Sequence, residues 1–311
     1  MRAVFMGTPD IAAEVLKHVL MSKHEIIAVV TQPDRPKGRG KELAKSPVKL
    51  VAEEHGIPVL QPERVKTPEW VAKLRELNPD VILVVAFGQI LSKEILELPK
   101  YGCINVHASL LPEYRGAAPI QWAVIDGKEK TGITIMRMDE GIDTGDMICK
   151  EEITITLEET GGSLHDKLAA MGGPLLLRAI AQVEAGTAVY TPQNHELHTY
   201  AKMLKKDLGK LDFTKSAVEL ERLIRGLNPW PSAYTYRDGK TIKFWSASVS
   251  EEKFDVCPCG TLLSVKDGML WIATGDGILQ VKELQPEGKR RMTTEEFLRG
   301  YPLTPGMIFG S

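Results

Sequence analysis

The sequence predicts an α/β protein, with a doubly wound, mostly parallel sheet followed by a smaller antiparallel β domain. Three observations predict it. Apolar runs of strand length alternate with helical periodicity from Arg2 to His107, the βαβ pattern of a parallel sheet. At 311 residues the chain is long for a single core, so a larger and a smaller domain are expected. Toward the C-terminus, Asp238-Gly239, Asp267-Gly268 and Asp276-Gly277 separate alternating apolar runs, and Asp-Gly in that setting is the strongest short-range hairpin signal.

Residues 2 to 6 form the first strand, Gly7-Thr8-Pro9-Asp10 a turn, and Ile11 to Met21 a helix with apolar positions at helical spacing. Ile26 to Thr31 is the second strand. The alternation continues through helix 47–55, strand 57–60, helix 68–77, and strands 80–87 and 103–107. A helix around 118–126, a strand from Gly132 to Met136 and an acidic turn at 139–146 follow. Ser163 and Asp166 resemble a capping box, starting a helix with Leu164, Leu168, Met171, Leu175, Ala179 and Val183 on one face. Gly172-Gly173-Pro174 is expected to kink or interrupt it. Periodicity then fades, which places the α/β domain at 1–189, a linker at 190–206 and the second domain at 207–311. In the second domain a short helix near 216–226 precedes Asn228-Pro229-Trp230-Pro231, and Thr293 with Glu296 caps a final helix. The strand count fits a small five-stranded barrel of the oligonucleotide-binding type.

With 43% hydrophobic and 26% charged residues, neither disorder nor a fibrous repeat is indicated. The longest apolar run, Val81 to Phe87, is too short to cross a bilayer, and the N-terminus starts directly into a strand, so a cytoplasmic protein is expected. Cys103, Cys149, Cys257 and Cys259 have neither zinc-knuckle nor disulfide spacing and read as reduced thiols. A net charge of −2 argues against a protein that coats nucleic acid indiscriminately, but leaves room for local basic patches.

Ligands of a doubly wound sheet sit at the carboxyl ends of its strands. The first turn lacks the second and third glycines that bring a backbone against a pyrophosphate, and Thr31-Gln32-Pro33 stands where an acid would close strand two. A dinucleotide-dependent dehydrogenase is thereby disfavoured. The loop at 34–49 leaves the ligand end of the second strand, and residues 35 to 49 carry six Lys/Arg against the single acid Glu42. It reads as a polyanion clamp. The acids of 139–146 do not follow the calcium-loop order, so no metal is expected, and one of them is a candidate partner for His107.

Asn105 and His107 stand two residues apart on a buried strand and so share a face. An amide donor beside an imidazole held by a carboxylate suits a carbonyl carbon that briefly carries an oxyanion. Ser109 lies in a Leu-Leu-Pro turn without a nucleophile-elbow setting, so direct transfer of a one-carbon acyl group fits better than a covalent hydrolase.

Asn105-Val-His107-Ala-Ser-Leu-Leu-Pro112, then Arg115-Gly116-Ala117-Ala118-Pro119, then Asp139-x-Gly141-Ile142-Asp143-Thr144-Gly145, closely resembles the 10-formyltetrahydrofolate-dependent formyltransferases. Gly7-Thr8-Pro9, Gln32-Pro33-Asp34-Arg35-Pro36, Gly38-Arg39-Gly40-Lys41, Asn228-Pro229-Trp230-Pro231 and Ala273-Thr274-Gly275-Asp276-Gly277 extend the resemblance end to end, toward the branch acting on tRNA. Ala108 and Ile11 depart from a frequent glycine and a common phenylalanine in the family's motifs.

The resemblance implies a Rossmann-like formyltransferase fold and catalysis by Asn105, His107 and Asp143. It implies 10-formyltetrahydrofolate as co-substrate, held by Ser109, Leu110, Leu111 and Pro112 with the pterin near Phe87, Ile90 and Leu91. It further implies methionyl-initiator tRNA as partner, met by Arg35, Lys37, Arg39 and Lys41 of the basic loop and supported by the second domain, whose local basic run is Lys289, Arg290 and Arg291. A monomer is expected. The open alternatives are formyl transfer to a nucleotide-linked amino sugar, and a non-catalytic RNA-binding protein.

Overall fold

The computed structural model describes residues 1–37 and 42–310. In chain order the first elements are β1 (Arg2–Gly7), α1 (Asp10–Leu20), β2 (Glu25–Val30), β3 (Arg35–Lys37), β4 (Glu42–Ala44), α2 (Pro47–Glu54), β5 (Val59–Leu60), α3 (Pro68–Leu77), β6 (Val81–Val85), α4 (Lys93–Leu96) and β7 (Cys103–His107). Then come β8 (Arg115–Gly116), α5 (Pro119–Ile125), β9 (Lys130–Arg137), β10 (Met147–Thr154), α6 (Gly161–Glu184) and β11 (Tyr200–Ala201). The C-terminal elements are α7 (Ala217–Gly226), β12 (Ala233–Arg237), β13 (Lys240–Ser250), β14 (Leu262–Lys266), β15 (Met269–Ala273), β16 (Ile278–Pro286), β17 (Met292–Thr293) and α8 (Thr294–Gly300).

The chain divides into two compact units, residues 1–119, 130–154 and 165–201, and residues 120–129, 155–164 and 202–311. Residues 190–201, expected in a linker, thus belong to the first unit, where β11 pairs in parallel with β8. The domain limits differ from the expected ones because residues 120–129 and 155–164 group with the C-terminal chain, a long-range association that local composition does not encode.

The first unit is built on a seven-stranded sheet in the order β10-β9-β7-β6-β1-β2-β5. β5, β2, β1, β6 and β7 run parallel, while β9 is antiparallel to β7 and β10 to β9. Every residue of β6 is buried, which is why Val-Ile-Leu-Val-Val is apolar without alternation. α1 turns Ile11, Val15, Leu16 and Val19 into the core, each such aliphatic side chain contributing about 1.5–3 kcal/mol relative to exposure. At the end of β1 a Cβ on Gly7 would stand 2.7 Å from Ala12 Cβ and 2.9 Å from the Val85 carbonyl, so only glycine lets α1 start this close to the sheet. The strand order reverses between β1 and β6, the switch point at which doubly wound sheets bind ligands.

Two expectations for α6 are corrected. The helix starts at Gly161, with Thr160 and Ser163 each giving a backbone N–H to the other's hydroxyl, so the expected box from Ser163 to Asp166 is displaced by three residues. It also runs unbroken through Pro174. Gly172 and Gly173 serve close packing, for a Cβ would come 3.0 Å from Val15 Cγ2 at the first and 2.5 Å from His18 Cβ at the second.

The second unit carries an antiparallel sheet in the order β12-β13-β16-β15-β14, with β17 added to β16. Asp238-Gly239, Asp267-Gly268 and Asp276-Gly277 all connect antiparallel neighbours. At the first two both residues have positive φ, 49° and 70° and then 53° and 71°, the I′ hairpin geometry. The C-terminal segment bonds to both sheet edges, through Leu262 N–H to the Met307 carbonyl and Gly310 N–H to the Tyr236 carbonyl, which gives the sheet its barrel-like closure. Phe244, Leu270, Ile272, Leu279 and Val281 fill it together with Leu220, Ile224 and Phe297 from the helices. α7 and α8 both open with capping boxes, Ser216 with Glu219 and Thr293 with Glu296. No described helix is long and apolar enough to cross a membrane.

Candidate active site

β7 is buried along its whole length, and its period of two puts Asn105 and His107 on one face. Antiparallel pairing sets Asn105 opposite Met136 and His107 opposite Thr134 of β9. His107 Nε2 donates to the Tyr114 carbonyl at 2.9 Å; a carbonyl only accepts, so that nitrogen carries a proton. Its Nδ1 lies 3.6 Å from Asp143 Oδ2, both side chains being largely buried. Asp143 Oδ2 also accepts the Gly116 N–H at 2.8 Å. Asn105 is 7% exposed, and its side-chain amide has no hydrogen-bond partner among the described residues. An amide so placed, not used by the protein itself, can donate to a ligand.

The chain holds strained backbone here. Tyr114 and Asp143 have φ of 58° and 53°, a left-handed conformation that side-chain-bearing residues rarely adopt. Gly116 has φ 109°, and a Cβ there would stand 2.8 Å from the Ala201 carbonyl. Of the other acids of the 139–146 turn, Asp139 has structural work: its Oδ1 accepts from the Gly141 N–H and the Thr144 hydroxyl. A separate cleft of about 560 Å³ opens at the carboxyl ends of β1, β2 and β6, walled by Thr8, Gln32, Arg35, Ser46, Phe87 and Gly88. Thr8 Oγ1 and Gln32 Nε2 both donate to the Phe87 carbonyl on its floor.

Two family models match the chain, formyl transferase over residues 1–180 and the formyl transferase C-terminal domain over residues 203–302. The chain belongs to the formyl transferase family. Among its relatives, the protein named methionyl-tRNA formyltransferase in Agathobacter rectalis is 55% identical over 309 residues, 99% of both chains. That of Clostridioides difficile, of the same name, is 50% identical over the whole of both chains. Solved structures share the fold. An N-formyltransferase from Helicobacter canadensis, in complex with folinic acid and dTDP-3-aminofucose, superposes with a TM-score of 0.67 at 19% identity over 91% of this chain and 98% of its own. HypX from Aquifex aeolicus, in complex with tetrahydrofolic acid, superposes at 0.64 and 17% identity over all of this chain and 51% of its own.

The residues expected around folate in this formyl transferase fall into two settings. Ser109 and Leu111 are fully buried, while Leu110 and Pro112 are partly exposed. The Ser109 hydroxyl donates to the Glu113 carbonyl at 2.6 Å, which ties it to the turn. Thr134 Oγ1 donates to the Ser109 carbonyl and accepts the Leu111 N–H, and Lys150 holds the Leu111 carbonyl. Phe87 and Leu91 are buried, whereas Ile90 is 68% exposed. Gln89 ties their loop down, accepting the Val65 N–H and donating to the Pro62 carbonyl.

Of the residues expected to meet tRNA, Arg35 is exposed on β3 and lines the cleft, and Lys37 ends that strand. Arg39 and Lys41 lie outside the described residues. β3 and β4 pair as a short hairpin, an element missing from the sequence reading. Its feet are tied by Thr31 to Ser46 and by Lys49, which donates to Asp34 and Gln61. Lys49 and Lys45, the latter paired with Glu53, are therefore anchors of the loop. The Lys49 ammonium, then Gln61, hold the Asp34 carboxyl below its ordinary value. In the second unit Lys289 is exposed, Arg290 pairs with Glu296, and Arg291 pairs with Glu283 and lies over Trp245.

Proposed function

We propose that this formyl transferase moves the formyl group of 10-formyltetrahydrofolate to the α-amino group of methionyl-initiator tRNA in the cytoplasm, giving N-formylmethionyl-tRNA. What supports the chemistry is the approach of Asp143 to His107, with Asn105 on the same face of the buried strand, in a chain similar, end to end, to proteins named for this reaction.

The co-substrate supplies an electrophilic formyl carbon, and the amino group of the esterified methionine attacks it. Collapse of the tetrahedral adduct breaks the bond from that carbon to N10, so that tetrahydrofolate leaves with a proton on N10 and the new amide has lost one from the amine. Asn105 donates to the oxygen that becomes negative. The Nε2–H of His107 is taken by the Tyr114 carbonyl, so Nδ1 is the imidazole edge that serves the reaction. Asp143 keeps the imidazole charged, as its 3.6 Å approach to Nδ1 supports, and through it helps move the proton that the amine gives up. The fully buried Ser109 and Leu111 shape the turn that holds folate, while Leu110, Pro112 and Ile90 offer side chains to it. Phe87 walls the pterin side, and the strand-end cleft beside it takes the tRNA terminus. Arg35, Lys37, Arg39 and Lys41 neutralise tRNA phosphates, with Lys289, Arg290 and Arg291 supporting the tRNA from the second unit.

Asn105→Ala and His107→Ala, assayed by single-turnover formylation, should each lose on the order of 10²–10³ in rate, as removal of an oxyanion donor does. Near-normal formylation by His107→Ala would sink this assignment.

A further inference from the structure

The tripeptide 114–116 touches every charged or imidazole part of the site. The Tyr114 carbonyl takes His107 Nε2, the Gly116 N–H meets Asp143, and between them the Arg115 side chain reaches Gln193. Arg115 is 2% exposed. Its Nε and Nη2 donate to Gln193 Oε1 at 3.1 and 2.7 Å, and Nη2 also donates to His195 Nδ1 at 3.2 Å. No carboxylate pairs with this guanidinium among the described residues.

Gln193 is itself buried, and both ends of its amide are used. A guanidinium only donates, so Oε1 faces Arg115 and the amide nitrogen faces the opposite way. There Nε2 donates to the Asp143 carbonyl at 2.9 Å and the Gly145 carbonyl at 2.8 Å. These two bonds grip the backbone at and just after the strained residue, whose φ of 53° aims the Asp143 carboxylate at Gly116 and His107. An αL residue other than glycine costs about 1–2 kcal/mol, and it persists where its surroundings over-determine it.

We propose that Gln193 is a positioning residue for the Asp143 carboxylate, and that Arg115 acts through it by fixing which way its amide points. The inference rests on the reading of Asp143 given above. It assigns to the segment after α6 a share in the active site. Parallel pairing of β8 with β11, together with the Tyr114 N–H bond to Thr199 Oγ1, holds that segment in register with 114–116.

Gln193→Glu separates positioning from mere satisfaction of the buried arginine. A glutamate would pair with Arg115 at least as well, but it cannot donate to two carbonyls. Steady-state formylation by Gln193→Glu should show kcat reduced about 10- to 100-fold, with KM for both substrates within about threefold, and little further loss when Asp143→Asn is added. A kcat within about threefold of wild type overturns the inference, as does a loss that multiplies fully with that of Asp143→Asn. Asp143→Asn alone is the control: if it keeps full activity, the reading of the carboxylate fails and takes this inference with it. If only Gln193→Glu is silent, the inference alone fails. Should Gln193→Glu not fold, Gln193→Ala is assayed with added propionamide or propionate. Recovery of kcat with propionamide alone supports positioning; recovery with propionate, or with neither, overturns it.

Discussion

Replacing Asp143 by asparagine removes one charge and little else. The amide keeps the volume of the carboxylate, and its oxygen can still accept the Gly116 N–H now bonded at 2.8 Å. What is lost is the attraction across the 3.6 Å between Oδ2 and His107 Nδ1. Two unit charges at that separation attract by about 4.6 kcal/mol at an effective dielectric near 20, which is a ceiling because the pair keeps slight solvent access. Since the imidazolium is needed as charge develops, the term falls on the transition state, and up to about three orders of magnitude in kcat/KM are at stake. We expect a loss of about 10²- to 10³-fold in single-turnover formylation under subsaturating tRNA, with folate affinity within about twofold of wild type. The double mutant with His107→Ala should be scarcely slower than His107→Ala alone, because a carboxylate without its imidazole has nothing to stabilise. A loss below tenfold, or one that adds fully to that of His107→Ala, would refute the reasoning.

Other outcomes follow from features outside the catalytic set. The Asp34 carboxyl, held below 3.8 by Lys49 and then Gln61, contributes stability that is complete above its unfolded value and lost as pH falls through its lower folded value. Wild type should therefore lose more stability than Lys49→Met between about pH 5 and about pH 2 in denaturant melts; parallel pH profiles would contradict this. Ser216→Ala breaks the capping box of α7 and should cost about 1 kcal/mol in a urea melt at unchanged kcat. Burial pushes the Cys103 thiol up to about 12, so mass spectrometry after alkylation near pH 8 should find the part-exposed Cys257 and Cys259 labelled well before it. Equal labelling rates would show that β7 opens more readily than its burial implies.

The parallel strands were legible because both of their faces are covered, which writes burial into the sequence as the runs at Ile26 and Val81. Asn105 and His107 stood out as polar residues in such a run, and the Asp-Gly pairs marked hairpins through the positive φ that a tight turn demands. β10 was not legible. It is an edge strand whose Lys150, Glu151 and Glu152 face water, so its middle carries no apolar alternation. Gln193 was hidden for another reason. It lies in an aperiodic stretch, and its role depends on Arg115 and Asp143, 78 and 50 residues earlier in the chain, with no local pattern to report either. The glycines of α6 misled because a packing requirement and a helix break use the same residue, and only the presence of Val15 and His18 against them decides which applies. The charge of the basic loop was likewise visible, but not that Lys45 and Lys49 spend theirs on Glu53 and Asp34.

The most direct test of the account is a competition for one labelled formyl group. Purified protein, 10-formyltetrahydrofolate carrying a labelled formyl carbon, charged initiator tRNA and a dTDP-linked amino sugar are mixed, and the label is traced. The account predicts that it appears as N-formylmethionyl-tRNA, one equivalent for each tetrahydrofolate released, and that the sugar stays unmodified. Label on the sugar, or no release of tetrahydrofolate with either acceptor, would contradict it.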